Sequence, residues 1–152
     1  MRQATSVLIY PVAKLANKIQ FMLLHRVPRP DLGLPAFWQG ISGGLEDNES
    51  VEETAKREFI EETGITALRI ESIGFSYSMP IMDEWRDKYP SGIEYITEHV
   101  FVALLDSQQE PKLSREHDQF KWCSKNEAID LLSFTNNIEA LKRSLDYIKL
   151  NN

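Results

Sequence analysis

Residues 43–65 read GGLEDNESVEETAKREFIEETGI, and this stretch decides what the rest of the chain is built around. Ser50, with a glutamate three residues later, forms a capping box and predicts the start of a helix. Gly64 predicts its end, because glycine readily takes the left-handed conformation that follows a last helical turn. At about 100° per residue, Glu58 and Glu62 share a face with the apolar side chains. The stretch therefore predicts a helix that buries two carboxylates.

Two carboxylates one helical turn apart on a buried face are unfavourable unless a positive charge neutralises them. A divalent cation would provide that charge, and hard oxygen ligands favour Mg²⁺ or Mn²⁺. The other interpretation is a solvated acidic helix on which Lys56 and Arg57 pair with neighbouring acids. The helical pattern alone leaves both interpretations open.

The spacing of the stretch resembles the Nudix box, G-x5-E-x7-R-E-U-x-E-E-x-G-U, in which U is a bulky apolar residue. Gly43 is followed after five residues by Glu49, and Arg57 comes after seven more and opens the run REFIEETGI. Every specified position matches. The resemblance to the Nudix hydrolase family implies an α/β fold, an α/β/α sandwich around a mixed β-sheet, in which the box forms a loop, a helix and a loop.

The resemblance also implies a metal site and the residues that build it. The expected ligands of Mg²⁺, or of Mn²⁺, are Glu58, Glu62, Glu61 and the backbone carbonyl of Ser42. Several Nudix members recruit a further carboxylate from a polar loop, and Glu116 lies in such a loop before a short strand. We predict that Glu116 is a metal ligand or a base. Its neighbour His117 is either a second candidate for that role or a surface residue.

Other box residues are expected to support the carboxylates. Arg57 belongs to the catalytic set as the partner of Glu49, and this pair would join the helix to the preceding loop and aim the acids. Gly43 and Gly44 would let the backbone pass close to the metal, where a side chain should clash. Gly64 would end the helix.

Length and composition indicate one globular domain covering residues 1–152. The chain has 42% hydrophobic and 26% charged residues, and no apolar run long enough for a bilayer. No signal peptide is recognisable, so we expect a cytoplasmic protein without a membrane partner. A net charge of −6 argues against binding a nucleic acid polymer. The single cysteine, Cys123, excludes an intramolecular disulfide and favours a packed strand residue. A monomer and a homodimer are both compatible with the sequence.

Hydrophobic patterning predicts the remaining elements. Apolar or alternating runs predict strands at residues 6–10, 19–24, 67–75, 99–105 and 120–122, with a turn between residues 11 and 18. A second capping box at Ser124 predicts a helix to about Leu132, and a last helix is expected from about Asn137 to Ile148. Prolines make regular structure unlikely over residues 27–35, and residues 77–97 are expected to form an irregular loop.

Short matches outside the box resemble the bacterial dihydroneopterin triphosphate pyrophosphatases, which also accept nucleoside triphosphates. These matches are residues 37–39 (FWQ), 89–92 (YPSG), Glu98, 116–117 (EH) and 121–122 (KW). Aromatic rings stack on planar heterocycles, and arginine pairs with phosphate. The side chains predicted to contact substrate are Trp38, Arg26, Trp85 and Tyr89.

The resemblance implies hydrolysis of a phosphoanhydride bond in a small molecule, most simply a nucleoside or dihydroneopterin triphosphate giving the monophosphate and pyrophosphate. One alternative is a pyrophosphatase of nucleoside diphosphate sugars such as ADP-ribose. Another is a Nudix module that senses a nucleotide without cutting it. Such modules usually lose box carboxylates, whereas Glu58, Glu61 and Glu62 are all present here.

Overall fold

The computed structural model describes residues 2–151, which form one seven-stranded mixed β-sheet with helices on both faces. The strands are β1 (Thr5–Leu15), β2 (Lys18–Arg26), β3 (Phe37–Gln39), β4 (Ile41–Gly44), β5 (Arg69–Pro80), β6 (Tyr95–Leu104) and β7 (His117–Cys123). The helices are α1 (Val51–Thr63), α2 (Lys125–Leu131) and α3 (Thr135–Leu150). The predicted α/β/α architecture is confirmed. No helix within residues 2–151 is long and apolar enough to span a bilayer.

Strand β1 lies at the centre of the sheet, parallel to β6, and the other strand pairs are antiparallel. It pairs with β2 from Val12 to Leu15, beyond which the two strands separate. Residues 37–44, here called the wedge segment, lie between the separated strands, with β3 on β2 and β4 on β1. At Gly40 a Cβ atom would lie 2.8 Å from the carbonyl oxygen of Ile9, so only glycine fits there.

Two apolar cores follow from the alternation of side chains along the central strands. Val7 and Ile9 of β1 face α1, whereas Leu8 and Tyr10 face the opposite layer. The core under α1 includes Met22, Leu24, Ile41, Ala55, Phe59, Phe101 and Ala103. The core on the other face includes Phe21, Leu23, Val100, Val102, Ala128, Leu141, Leu145 and Ile148. Because α1 is anchored by apolar contacts with the sheet, its polar side chains are held at a fixed height above the strands.

The structure corrects several expected boundaries. Residues 77–97 are not one irregular loop, since β5 continues to Pro80, a 3-10 helix spans Asp83–Lys88, and β6 begins at Tyr95. Pro80 is tolerated because β5 is an edge strand. Pro11 does not form a turn but lies in β1, between the residues that pair with β4 and those that pair with β2.

Smaller differences concern the loops and the ends of the helices. Within the segment predicted to turn, the chain reverses at Ala16 and Asn17, which both have positive φ. One 3-10 turn, Pro30–Leu32, forms where regular structure was not expected. Helix α2 ends one residue earlier than predicted, and α3 extends two residues further in each direction.

A buried polar cluster lies on the face of the sheet opposite α1. The Glu98 carboxylate of β6 accepts hydrogen bonds from the Tyr77 hydroxyl and from Ser6 Oγ, the latter at 2.9 Å. Asn137 Nδ2 of α3 donates to the Tyr77 oxygen at 3.2 Å. Burial raises the pKa of Glu98, and the two hydroxyl donors oppose this shift only in part. The cluster ties three strands to α3 through a carboxyl group that burial favours in its neutral form.

Candidate active site

Helix α1 begins and ends where the sequence predicts. Ser50 accepts from the backbone N–H of Glu53, whose side chain accepts from the backbone N–H of Ser50, so the capping box is complete. Gly64 ends the helix at φ 67°, with its N–H donated to the Ile60 carbonyl at 2.8 Å. The predicted burial of two carboxylates is also confirmed. The side chains of Glu58 and Glu62 are 13% and 9% exposed, whereas Glu61 is 54% exposed.

Arg57 connects the acids of the box. Its Nε and Nη2 donate to the two carboxylate oxygens of Glu49 at 2.7 and 2.9 Å. Its Nη1 donates to Glu58 at 2.9 Å and to Glu61 at 3.2 Å, and Nη2 also reaches the Gly44 carbonyl at 3.2 Å. These bonds lower the pKa of Glu49 to about 2. The predicted Arg57–Glu49 pair is therefore present, and the same guanidinium orients two further acids.

Glu58 packs directly against the backbone of the wedge segment. A Cβ atom on Gly43 would lie 2.2 Å from the Glu58 carboxyl carbon, so the predicted clash at Gly43 is confirmed. The prediction was wrong for Gly44, where a Cβ would meet only the Thr5 carbonyl oxygen, at 4.0 Å. Burial raises the pKa of Glu58 to about 7, although Arg57 opposes the shift. Ser42, the predicted carbonyl ligand, precedes Gly43 in β4 and lies opposite Leu8 of β1.

Glu62 is held by residues from two other segments. Ser114 Oγ donates to Glu62 Oε2 at 2.7 Å, and His117 Nδ1 lies 3.0 Å from the same oxygen. On its other side, His117 Nε2 lies 2.9 Å from Gln39 Nε2. Burial alone would raise the pKa of Glu62, but the hydrogen bonds from His117 and Ser114 outweigh it and the pKa is lowered. His117 is only 5% exposed, which excludes the surface residue that was one of the two alternatives for it.

Glu116 completes an acidic group at the carboxyl end of α1. Ligand atoms of Glu62, Glu116 and His117 lie within 4.8 Å of one another, and this is the one such group found in residues 2–151. The group does not include Glu58 or Glu61, whose carboxylates turn towards Arg57. The two carboxylates of this group suit Mg²⁺ or Mn²⁺, because these cations prefer hard oxygen ligands.

Of the predicted substrate residues, Arg26 lies beside this group and Trp38 does not. Arg26 Nη1 is 3.3 Å from the Glu116 carboxylate. Arg29, which the sequence did not single out, is close enough that Glu116 helps to raise its pKa, after the larger contribution of Asp31. Trp38 is half-buried at the other face of the sheet, with its ring 5.0 Å from that of His25. The structure thus places the Arg26 guanidinium, but not the Trp38 indole, next to Glu116.

The other two predicted substrate residues belong to a small apolar cluster of their own. Tyr89 is 7% exposed and packs with Ile81 and Ile96, and Trp85 lies against the same cluster. The Trp85 indole N–H donates to the Leu32 carbonyl at 3.2 Å. These rings therefore cover the end of the sheet and join the 3-10 helix Asp83–Lys88 to the loop after β2.

Sequence reasoning missed Gln39 and Ser114 as well as the burial of His117. A signal for Gln39 was available, because Gln39, Ile41 and Gly43 alternate along the wedge segment and so project to one face. The position of Ser114 depends on how the loop before β7 lies against α1. In the structure the Lys112 N–H donates to the Thr63 carbonyl at 2.7 Å and anchors that loop.

The structure combines a mixed sheet with an acidic helix on one face, whose carboxylates are held by Arg57. The family model of the NUDIX domain matches residues 3–144. The chain therefore belongs to the Nudix family, and it is a pyrophosphohydrolase of that family.

Relatives with known names or structures share this architecture. The chain is 32% identical to a dihydroneopterin triphosphate diphosphatase of Haemophilus influenzae over 144 residues, which cover 92% of this chain and 86% of the relative. A Listeria monocytogenes structure described as a Nudix hydrolase has a TM-score of 0.81 at 32% identity, covering 98% of this chain and 97% of the other. The Escherichia coli dihydroneopterin triphosphate pyrophosphohydrolase has a TM-score of 0.77 at 24% identity, covering 93% and 94%.

Proposed function

We propose that this chain is a Mg²⁺-dependent pyrophosphohydrolase of dihydroneopterin triphosphate or a nucleoside triphosphate, which it converts to the monophosphate and pyrophosphate. One observation carries the proposal: α1 holds two nearly buried carboxylates in place through Arg57 on one side and His117 on the other. Burying two carboxylates destabilises the folded chain unless a cation neutralises them. Their burial therefore indicates a cationic ligand.

The reaction needs a nucleophile, a leaving group and a place for one proton. A water oxygen forms a new bond to a phosphorus atom, the bridging P–O bond breaks, and pyrophosphate leaves. When bound, divalent cations neutralise phosphate charge and favour ionisation of the attacking water. We assign the holding of Mg²⁺, or of Mn²⁺, to Glu58, Glu62 and the Ser42 carbonyl, with Glu61 as a further ligand.

Glu116 and the arginines beside it are suited to the substrate side of the same reaction. The Glu116 side chain is 48% exposed, so solvent and substrate reach it, and we assign it to cation binding or to taking the proton of the attacking water. Arg26 Nη1 lies 3.3 Å from the Glu116 carboxylate, and we assign Arg26, together with Arg29, to pairing with phosphate oxygens. A triphosphate presents enough oxygens to engage both guanidinium groups and the cations together.

The choice of substrate rests on similarity to the Haemophilus diphosphatase over most of both chains. An ADP-ribose pyrophosphatase is the alternative enzyme, and a nucleotide-sensing module is the alternative without catalysis. All three box glutamates are retained, which favours catalysis over sensing. We further propose that the protein acts in the cytoplasm on a small molecule, as a monomer or homodimer.

A direct test compares wild type with Glu62→Gln and with a matched surface control. Glu139→Gln changes a glutamate that pairs with Arg143 on α3, on the other side of the sheet. With Mg²⁺, wild type and Glu139→Gln should release pyrophosphate from dihydroneopterin triphosphate. Glu62→Gln should lose most of the rate while keeping its circular dichroism spectrum. EDTA should abolish hydrolysis, and added Mg²⁺ should restore it.

The substrate itself is decided by comparing kcat/KM for dihydroneopterin triphosphate, dATP and ADP-ribose. We expect the pterin triphosphate to rank first. If it ranks last, the pterin assignment is wrong while the hydrolase stands. A folded wild type that cleaves none of the three with Mg²⁺ or Mn²⁺, yet binds one of them, would instead establish a sensing module.

A further inference from the structure

Three side chains form a continuous hydrogen-bonded row beneath the carboxyl end of α1. Gln39 lies in the wedge segment, His117 begins β7, and Glu62 comes from the last turn of the helix. The two contacts along the row measure 2.9 and 3.0 Å. All three residues are 7% exposed or less. Because water is nearly excluded, each contact must be satisfied by the protein itself.

The row has a direction that follows from the donors available. The Gln39 side-chain nitrogen carries only donors, so the Nε2 atom of His117 facing it must accept. A neutral imidazole that accepts at Nε2 carries its proton at Nδ1, and that atom faces Glu62 Oε2. Gln39 therefore selects the tautomer in which His117 donates to the carboxylate. In the other tautomer, the Nδ1 lone pair of His117 would face the negatively charged Glu62 carboxylate.

Both ring nitrogens of His117 are thus engaged, one accepting and one donating. A metal ligand needs a free ring lone pair, which this arrangement does not offer. Ser114 donates to the same Glu62 oxygen, Oε2, as His117 does. Two donors on one oxygen fix the carboxylate plane and leave Oε1 as the atom presented to a ligand.

We propose that Gln39 and His117 act as positioning residues that fix Glu62 as a single-oxygen ligand, with His117 outside the coordination shell. This inference deepens the proposed function and rests on it, because it concerns how Glu62 is presented to the divalent cation. Supporting residues of this kind commonly change metal affinity by about 10–100-fold when they are removed. A His117 whose role was only to fill the core would not affect metal affinity in this way.

The first experiment measures Mn²⁺ affinity by titration calorimetry without substrate. His117→Leu should weaken Mn²⁺ binding about 10–100-fold. His117→Asn keeps an amide N–H near the Nδ1 position and should bind Mn²⁺ more tightly than His117→Leu does. Gln39→Met, which touches Glu62 only through His117, should weaken binding by less than His117→Leu does. Equal affinity in wild type and His117→Leu would overturn the inference.

A double variant tests whether the row acts as one unit. Because Gln39 works through His117, the double variant Gln39→Met with His117→Leu should bind Mn²⁺ no more weakly than His117→Leu alone. If the fold-losses in Mn²⁺ affinity of the two single variants multiply in the double variant, Gln39 acts on the site independently of His117. That result would contradict the inference. In steady-state assays His117→Leu should lower kcat much more than it raises KM for the triphosphate, since it disturbs an interaction at the reacting centre.

Electron spin echo spectroscopy on the Mn²⁺-loaded wild type separates positioning from ligation. We expect no coupling from a directly coordinated histidine nitrogen. Such a coupling in wild type, lost in His117→Asn, would make His117 a ligand and overturn the inference.

Leu145→Ala is the control for effects of lost stability, because it changes the core under α3 on the far side of the sheet. It should lower Tm but leave Mn²⁺ affinity unchanged. Outcomes for wild type separate this inference from the proposed function. If wild type hydrolyses the triphosphate but His117→Leu keeps full Mn²⁺ affinity, only the positioning role fails. If wild type binds neither Mn²⁺ nor Mg²⁺, both fail.

Discussion

Replacing Gly43 with alanine should disable the site through a single methyl group. The added Cβ would lie 2.2 Å from the Glu58 carboxyl carbon and 2.4 Å from Oε1, inside any observed contact distance. The obstacle on the Gly43 side is backbone of β4, paired with Val7 of β1, so the Glu58 carboxylate is the group that must move. The Glu58 carboxylate must move by about 1 Å to reach a normal van der Waals distance from the new methyl group. A misplacement of that size can lower the rate about 100-fold.

The assay is kcat/KM for triphosphate hydrolysis, measured together with Tm. Gly43→Ala should lower kcat/KM about 100-fold while overpacking lowers stability by about 1–3 kcal/mol. The matched comparison is Gly44→Ala, whose new methyl meets nothing closer than 4.0 Å and should cost far less activity. Equal kcat/KM for the two alanine variants would refute the reasoning that backbone packing sets the position of Glu58.

Two further predictions concern charge. Arg57→Lys should lower kcat/KM about 10–100-fold, because a single ammonium cannot replace the planar guanidinium that joins Glu49 to Glu58. Unchanged rates would mean that the guanidinium has no part in orienting Glu58. Glu98→Gln should flatten the pH dependence of unfolding free energy measured in urea from pH 5 to 8. The folded pKa of Glu98 is raised, so its contribution is complete below the unfolded value of about 4.3 and is lost as pH rises through the folded pKa. Equal slopes for wild type and Glu98→Gln would contradict this assignment.

Local signals were enough to predict helix α1. The capping box at Ser50 and the glycine at position 64 act through neighbouring backbone atoms, so α1 has the limits that its sequence indicates. The burial of Glu58 and Glu62 also followed, because helical periodicity determines which side chains share a face. The Arg57–Glu49 pair came from the family resemblance rather than from any local rule.

Residues placed by distant contacts could not be predicted in this way. His117 looks like a loop residue in sequence, yet β7 pairs with β2 and brings it under a helix that ended 54 residues earlier. The aromatic residues Trp85 and Tyr89 had the composition of a ligand-binding loop, and the structure instead packs them with Ile81 and Ile96. Composition reports what a side chain can contact, whereas strand pairing decides what it does contact.

The wedge segment has a consequence for how this enzyme can vary. Gln39, the third residue of the segment, contacts His117, and Gly43, four residues later, packs against Glu58. The two buried carboxylates, Glu58 and Glu62, are therefore positioned by one short segment of strand. Adding or deleting a single residue between them would turn every following side chain to the opposite face. Insertions and deletions that surface loops tolerate should therefore abolish activity when they fall within the wedge segment, even if the protein still folds.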